Sequence, residues 1–140
     1  MIILDTNVLS ELVRAKPDEN VLAWLDARNS QDLQTTAITV AELLYGVQRL
    51  PNGRRKTGLR DAIDSMLADE LAGKVLAFDG NAARQYATLV VARETAGRPI
   101  GAADAQIAAI CRSHGAALAT RNGKDFDATG ITVMDPWTAT

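Results

Sequence analysis

A chain of 140 residues, 47% hydrophobic and 23% charged, has the composition of one globular domain spanning residues 1–140, long enough to bury a core without covalent staples. One cysteine, Cys111, excludes an internal disulfide and a cysteine-rich zinc site, and one histidine, His114, excludes zinc held by several imidazoles. Asp and Glu number 17 against 15 Lys and Arg, for a formal charge of −2 and a pI near 5.3, which argues against a nucleic-acid binder that works by overall positive charge.

The start, Met1 to Asp5, carries no basic segment and meets an acid at once, unlike a secretion signal. The longest uncharged stretch, Leu33 to Ala41, falls far short of the roughly 20 apolar residues of a membrane helix. The chain is therefore expected in the cytoplasm with no membrane partner, where a lone thiol stays reduced.

Ile2-Ile3-Leu4 reads as a short buried strand stopped by Asp5. Val8, Leu9, Leu12 and Val13 follow at helical spacing, and Asn20 to Arg28 reads as a second helix with Trp24 on its apolar stripe. Leu33 to Ile38 reads as a Thr-rich strand. Thr39 to Gln48 is the next helix, with Thr39 and Glu42 spaced as a capping box. After the turn at Pro51-Asn52-Gly53, the stripe Leu59, Ile63, Met66, Leu67, Leu71 predicts a helix ended by Gly73. Lys74 to Phe78 is a strand. Asn81 to Ala96 and Ala102 to His114 are helices closed by Gly97 and Gly115, and Ala116 to Thr120 and Ile131 to Met134 are the last strands. Short apolar strands alternating with helices predict an α/β fold with a mainly parallel sheet of about five strands.

Ligands of such sheets bind beyond the carboxyl ends of the strands. Asp5 directly follows the first strand, Glu42 lies early in its helix, Asp104 lies in the first turn of another, and Asn122 and Asp125 follow the strand ending at Thr120. Carboxylates gathered there repel one another and raise their own pKa values. A hard divalent cation relieves that conflict, and Mg²⁺, which keeps several waters, needs only a few carboxylates. Each acid also has an ordinary structural reading: Asp5 as a helix cap, Glu42 in its capping box, Asp104 facing the helix dipole, Asp125 in a turn. Against the ordinary reading of Asp104, Ile107, Ala108 and Cys111 share its helix face, where an unpaired carboxylate is costly.

Four blocks in order, Ile3-Leu4-Asp5-Thr6-Asn7, Thr39-Val40-Ala41-Glu42-Leu43, Ala103-Asp104-Ala105-Gln106-Ile107-Ala108 and Ala119-Thr120-Arg121-Asn122 with Asp125-Phe126, resemble the PIN-domain ribonucleases, of the VapC and FitB kind of toxin in type II toxin–antitoxin systems. The ending Asp135-Pro136-Trp137 and the pair Phe78-Asp79 match the same group. The resemblance implies a Rossmann-like sheet and an endoribonuclease dependent on Mg²⁺, with Mn²⁺ able to substitute. It implies a homodimer, and a cognate antitoxin that covers the acidic site in a hetero-oligomer. Asp5, Glu42 and Asp104 match the three main acids, Thr6 and Asn7 the polar pair beside the first, and Asn122 a fourth position that is Asp in some relatives. The amide at Asn122 puts a second metal ion in doubt, with Asp125 the nearest replacement carboxylate.

Arg49, Arg54, Arg55, Lys56 and Arg60 form a run of positive charge that suits either phosphate tracking or a solvated surface, while Arg121 adjoins the predicted site. Gly53 to Gly58 begins like a P-loop but continues Leu59-Arg60, so that motif fails where its chemistry lies. A second reading is a catalytically impaired PIN-like module that acts by binding antitoxin or RNA. A third, a phosphotransfer domain, wants Asp where the chain has Asn7.

Overall fold

The computed structural model describes residues 1–138. Five strands, Ile2–Leu4 (β1), Leu33–Thr36 (β2), Val75–Leu76 (β3), Ala117–Ala119 (β4) and Val133–Met134 (β5), form one sheet in the order β3-β2-β1-β4-β5. Every neighbouring pair is parallel, with Ile2 opposite Leu33 on one side and Leu4 opposite Ala119 on the other. Six helices connect them: Thr6–Leu12 (α1), Glu19–Asp26 (α2), Ala37–Gln48 (α3), Arg54–Ala68 (α4), Gly80–Thr95 (α5) and Ala102–His114 (α6). Short 3-10 helices cover Ser30–Asp32 and Gly123–Phe126. This is the parallel α/β architecture expected from the alternating pattern.

Side chains alternate across a strand, and here that alternation divides the core in two. Ile3 and Leu118 pack with Leu89 of α5 and Ile107, Ile110 and Cys111 of α6. Leu4 and Ala119 point the other way, to Leu9, Val21, Trp24, Leu43, Ile63 and Met66 from α1 to α4. Helix α6 is the innermost of the six, its residues Ala105 and Ile107 to Cys111 fully buried. It stops at Gly115, whose φ of 62° is left-handed and therefore suits a residue without a side chain.

Several boundaries differ from the sequence reading by a residue or more, two of them for a clear local reason. Strand β2 ends at Thr36 rather than Ile38, because the Thr36 hydroxyl caps α3 by accepting from the Thr39 amide at 3.0 Å. The capping box at Thr39 and Glu42 therefore does not form. Gly73 does not cap α4, which ends at Ala68; with φ 71° it turns the chain back toward β3. The lone thiol of Cys111 is pushed up to about 12 by burial. Cys111 is accordingly expected to resist maleimide at neutral pH in the folded chain and to label fully in guanidinium, as mass spectrometry would show. Rapid labelling of the native protein would overturn that placement.

Candidate active site

The strand order reverses its direction of growth between β1 and β4, which in open α/β sheets is where ligands sit. Asp5 and Thr120 leave these two strands side by side. The Asp5 amide donates to the Ala119 carbonyl at 3.0 Å, and the Thr120 amide to the Met134 carbonyl at 2.9 Å. Buried Thr120 then becomes the hub. Its hydroxyl donates to Asp5 Oδ2 at 2.7 Å and accepts from Asn7 Nδ2 at 3.0 Å and from the Asn122 amide at 3.1 Å. A hydroxyl has one donor and two acceptor sites, and all three are used.

The network extends on both sides. Asp5 Oδ1 accepts from the Thr6 amide at 2.8 Å, capping α1, so the ordinary reading of Asp5 is correct as far as it goes. Thr6 Oγ1 donates to Glu42 Oε1 at 2.7 Å, which ties the start of α1 to α3. Asn7 Oδ1 accepts from the Arg121 amide at 3.1 Å. Released from any capping duty, Glu42 stands in the second turn of α3 and faces the strand ends instead.

Asp5, Thr6, Asn7, Glu42, Asp104, Arg121 and Asn122 border one cleft of about 490 Å³. Of the predicted residues only Asp125 is not on its wall; it sits in the 3-10 helix Gly123–Phe126, close enough for its charge to act on Asp5 and Asp104. Burial raises the Asp5 carboxyl above its usual range, against the hydrogen bonds from Thr120 and Thr6, and the charges of Glu42 and Asp125 add to the rise. Asp104 is pushed up to about 6, first by burial and then by Asp5, Asp125 and Glu42, with Arg93 opposing. Among the described residues, none of these four acids makes a salt bridge. Their mutual repulsion is met by no ion pair among the described residues, and hard oxygen donors in that state suit a hydrated divalent cation. The acids do not close into a cage: among the described residues no three Asp, Glu, His or Cys side chains group as metal ligands.

Several residues at or behind the cleft have no role assigned from the sequence. Thr120 looks like an ordinary strand residue. Glu11, buried in α1, accepts from Arg14 at 3.1 Å and from the Asp18 amide at 3.0 Å, so it braces the wall. Trp137 reaches the cleft from beyond β5. None of the five cations between Arg49 and Arg60 borders it, and Lys56 is turned to the Gln48 carbonyl at 3.1 Å.

A family model of the PIN domain matches residues 2–131. The chain belongs to the PIN-domain family. This PIN domain is 46% identical to VapC ribonuclease Y4jK of Sinorhizobium fredii over 98% of both chains. It is 42% identical to toxin FitB of Neisseria gonorrhoeae, over 98% of this chain and 99% of that one. The solved structure of FitAB bound to the IR36 DNA fragment superposes with a TM-score of 0.92 at 41% identity, covering 100% of this PIN domain and 98% of that chain. Among the described residues, no helix of the PIN domain is long and apolar enough to cross a membrane.

Proposed function

We propose that this PIN domain is an endoribonuclease, the toxin of a toxin–antitoxin pair, that hydrolyses RNA phosphodiesters in the acidic cleft. The observation that carries the reading is the unpaired carboxylate set at the β1–β4 switch point, with Asp104 pushed up to about 6. The likeness to a VapC ribonuclease supports the choice of RNA as substrate.

Asp5, Glu42 and Asp104, with Asn122 as a neutral donor, are the residues that would hold Mg²⁺, or Mn²⁺ in its place. Such an ion supplies an acidified water and neutralises charge on the phosphoryl group. The chain's own residues supply position. Thr120 fixes the rotamer of Asp5, and Thr6 fixes that of Glu42, so both carboxylates are oriented before substrate arrives. Arg121 is the cation of the cleft without a carboxylate partner among the described residues, and it is placed to meet a phosphate oxygen. Glu42 is placed to orient the attacking water, since one of its two oxygens is held by Thr6 and the other is available.

The partner follows the same chemistry. FitAB is a toxin–antitoxin complex, and an antitoxin segment carrying Lys or Arg suits a cleft of unpaired acids. The chain is read as acting in the cytoplasm, as a homodimer that its antitoxin joins in a hetero-oligomer.

The test is cleavage of total RNA by antitoxin-free protein in Mg²⁺ or Mn²⁺, beside a chelator control. Cleavage is expected with either ion and none after complete metal removal. Undiminished cleavage in chelator would overturn the cation's role. No cleavage by folded, metal-loaded protein would make the chain a binding module.

A further inference from the structure

The cleft has a second component that the acids do not explain. Trp137 lies on its wall, and the Arg121 guanidinium carbon sits 4.8 Å from the centroid of the Trp137 ring. Among the described residues, Trp137 is the one aromatic side chain bordering the cleft. The other tryptophan, Trp24, also lies under an arginine, Arg28 at 4.2 Å, but it is buried in the core and does not border the cleft, whereas Trp137 packs against the margin of that core and stays half-buried. Phe78 and Tyr86 pack edge to face on the opposite side of the sheet.

The Trp137 backbone is held at both ends. Its amide donates to Asp135 Oδ1 at 2.9 Å, and its carbonyl accepts from Asn20 Nδ2 of α2 at 3.3 Å. Arg121 is held through its own amide by Asn7. The backbones that carry indole and guanidinium are thus held in place, and the two groups meet on the wall of the cleft that Asp5, Glu42 and Asp104 also border. Carboxylates repel a phosphate chain, and Arg14, the other cation of the cleft, is engaged by Glu11 at 3.1 Å. Apart from a cation held by the acids, grip on a nucleic acid in this cleft comes from Arg121 and from contacts that ignore charge. Stacking of a base on an aromatic or a guanidinium plane is such a contact, and single-stranded RNA exposes its bases to it.

The geometry points to a nucleobase subsite: Arg121 and Trp137 together receive an unpaired base of single-stranded RNA next to the phosphate that enters the acidic cleft. This deepens the ribonuclease reading of the same cleft and rests on it. The subsite accepts any base, purines better than pyrimidines because their stacking face is larger, and it favours unpaired RNA over duplex.

The test uses the full chain with Trp24→Phe, which leaves Trp137 as the sole tryptophan, and Asp104→Asn, which spares the RNA. Titration in Mg²⁺ with short oligoadenylate is expected to quench Trp137 fluorescence, oligouridylate to quench it less, and an abasic ribose-phosphate oligomer not at all. In the cleavage-competent chain, Trp137→Leu is expected to raise KM for single-stranded RNA about 10-fold or more, with Trp137→Phe recovering most of the loss. The subsite is overturned if oligoadenylate binds by anisotropy without quenching Trp137, or if folded Trp137→Leu keeps the wild-type KM. Either outcome leaves the ribonuclease reading standing. Failure of the unsubstituted protein to cleave or bind any RNA overturns both.

Discussion

Asp104→Asn is expected to cut RNA cleavage by at least about 10²-fold and, in the same protein, to raise stability. The first effect follows from the several kcal/mol that a correctly held cation contributes to phosphoryl chemistry, which converts to a factor of this size or more. The second follows from the state of the acid in the metal-free chain. Asp104 is pushed up to about 6 by burial and by three neighbouring acids, so its charge at neutral pH opposes folding. Discounted for its partial exposure, that opposition is about 1–2 kcal/mol, and asparagine removes it at nearly constant shape. Thermal unfolding in chelator and single-turnover cleavage in Mg²⁺ measure the two effects separately. An ordinary surface acid would change neither, and a structural one would lower stability. Either result would remove Asp104 from the site.

Arg93→Met is expected to be the most damaging single change to the fold outside the hydrophobic core. Arg93 is buried, yet among the described residues no carboxylate pairs with it; its guanidinium donates instead to backbone carbonyls of two separate segments. Nε reaches the Arg98 carbonyl at 2.6 Å, and Nη1 reaches those of Asp125 at 3.1 Å and Asp127 at 2.7 Å. One side chain of α5 thus joins the loop before α6 to the 3-10 helix after β4. Methionine fills part of the volume but strands those carbonyls, at a cost of about 3 kcal/mol. In a chain of this length the melting temperature should fall by about 10 °C. Arg98→Ala is the matching control. Among the described residues the Arg98 side chain makes only an exposed 3.4 Å pair with Asp127, and its loss should shift stability by less than about 1 kcal/mol. If the two substitutions prove equal, the carbonyl contacts of Arg93 are not what holds these segments.

The parts of this molecule that could be read from its sequence are those where one local signal decides. The alternation of apolar runs and helical stripes predicts the layers, and the positions of Asp5, Glu42, Asp104 and Asn122 after strands or early in helices, together with the resemblance to the PIN-domain ribonucleases, single them out as candidates, which the fold brings to one cleft. Glu42 was found with the wrong neighbour. A Thr-x-x-Glu spacing is a capping signal, but Thr36 lies three residues earlier and takes the cap, which frees the carboxylate for Thr6. Thr120 was illegible because a threonine at a strand end has ordinary β-propensity, and its role depends on a partner on another strand. Arg93 was illegible for a related reason: carbonyl acceptors leave no complementary residue type in the sequence. Trp137 was noticed as part of a motif, but only the turn of the chain after β5 brings its ring against Arg121.

The strand order also sets when the cleft can exist during synthesis. β1 is the first element made, yet it lies in the middle of the sheet and waits for β4 to cover its second edge. Until the chain has been translated through Thr120, Asp5 lacks the Ala119 carbonyl that pins its amide, the Thr120 hydroxyl that orients its carboxylate, or both. Loop closure over so long a separation is slow and comes late. A nascent chain therefore carries Asp5, Glu42 and Asp104 as unassembled acids, and a truncated product that stops before β4 lacks the partners that orient Asp5.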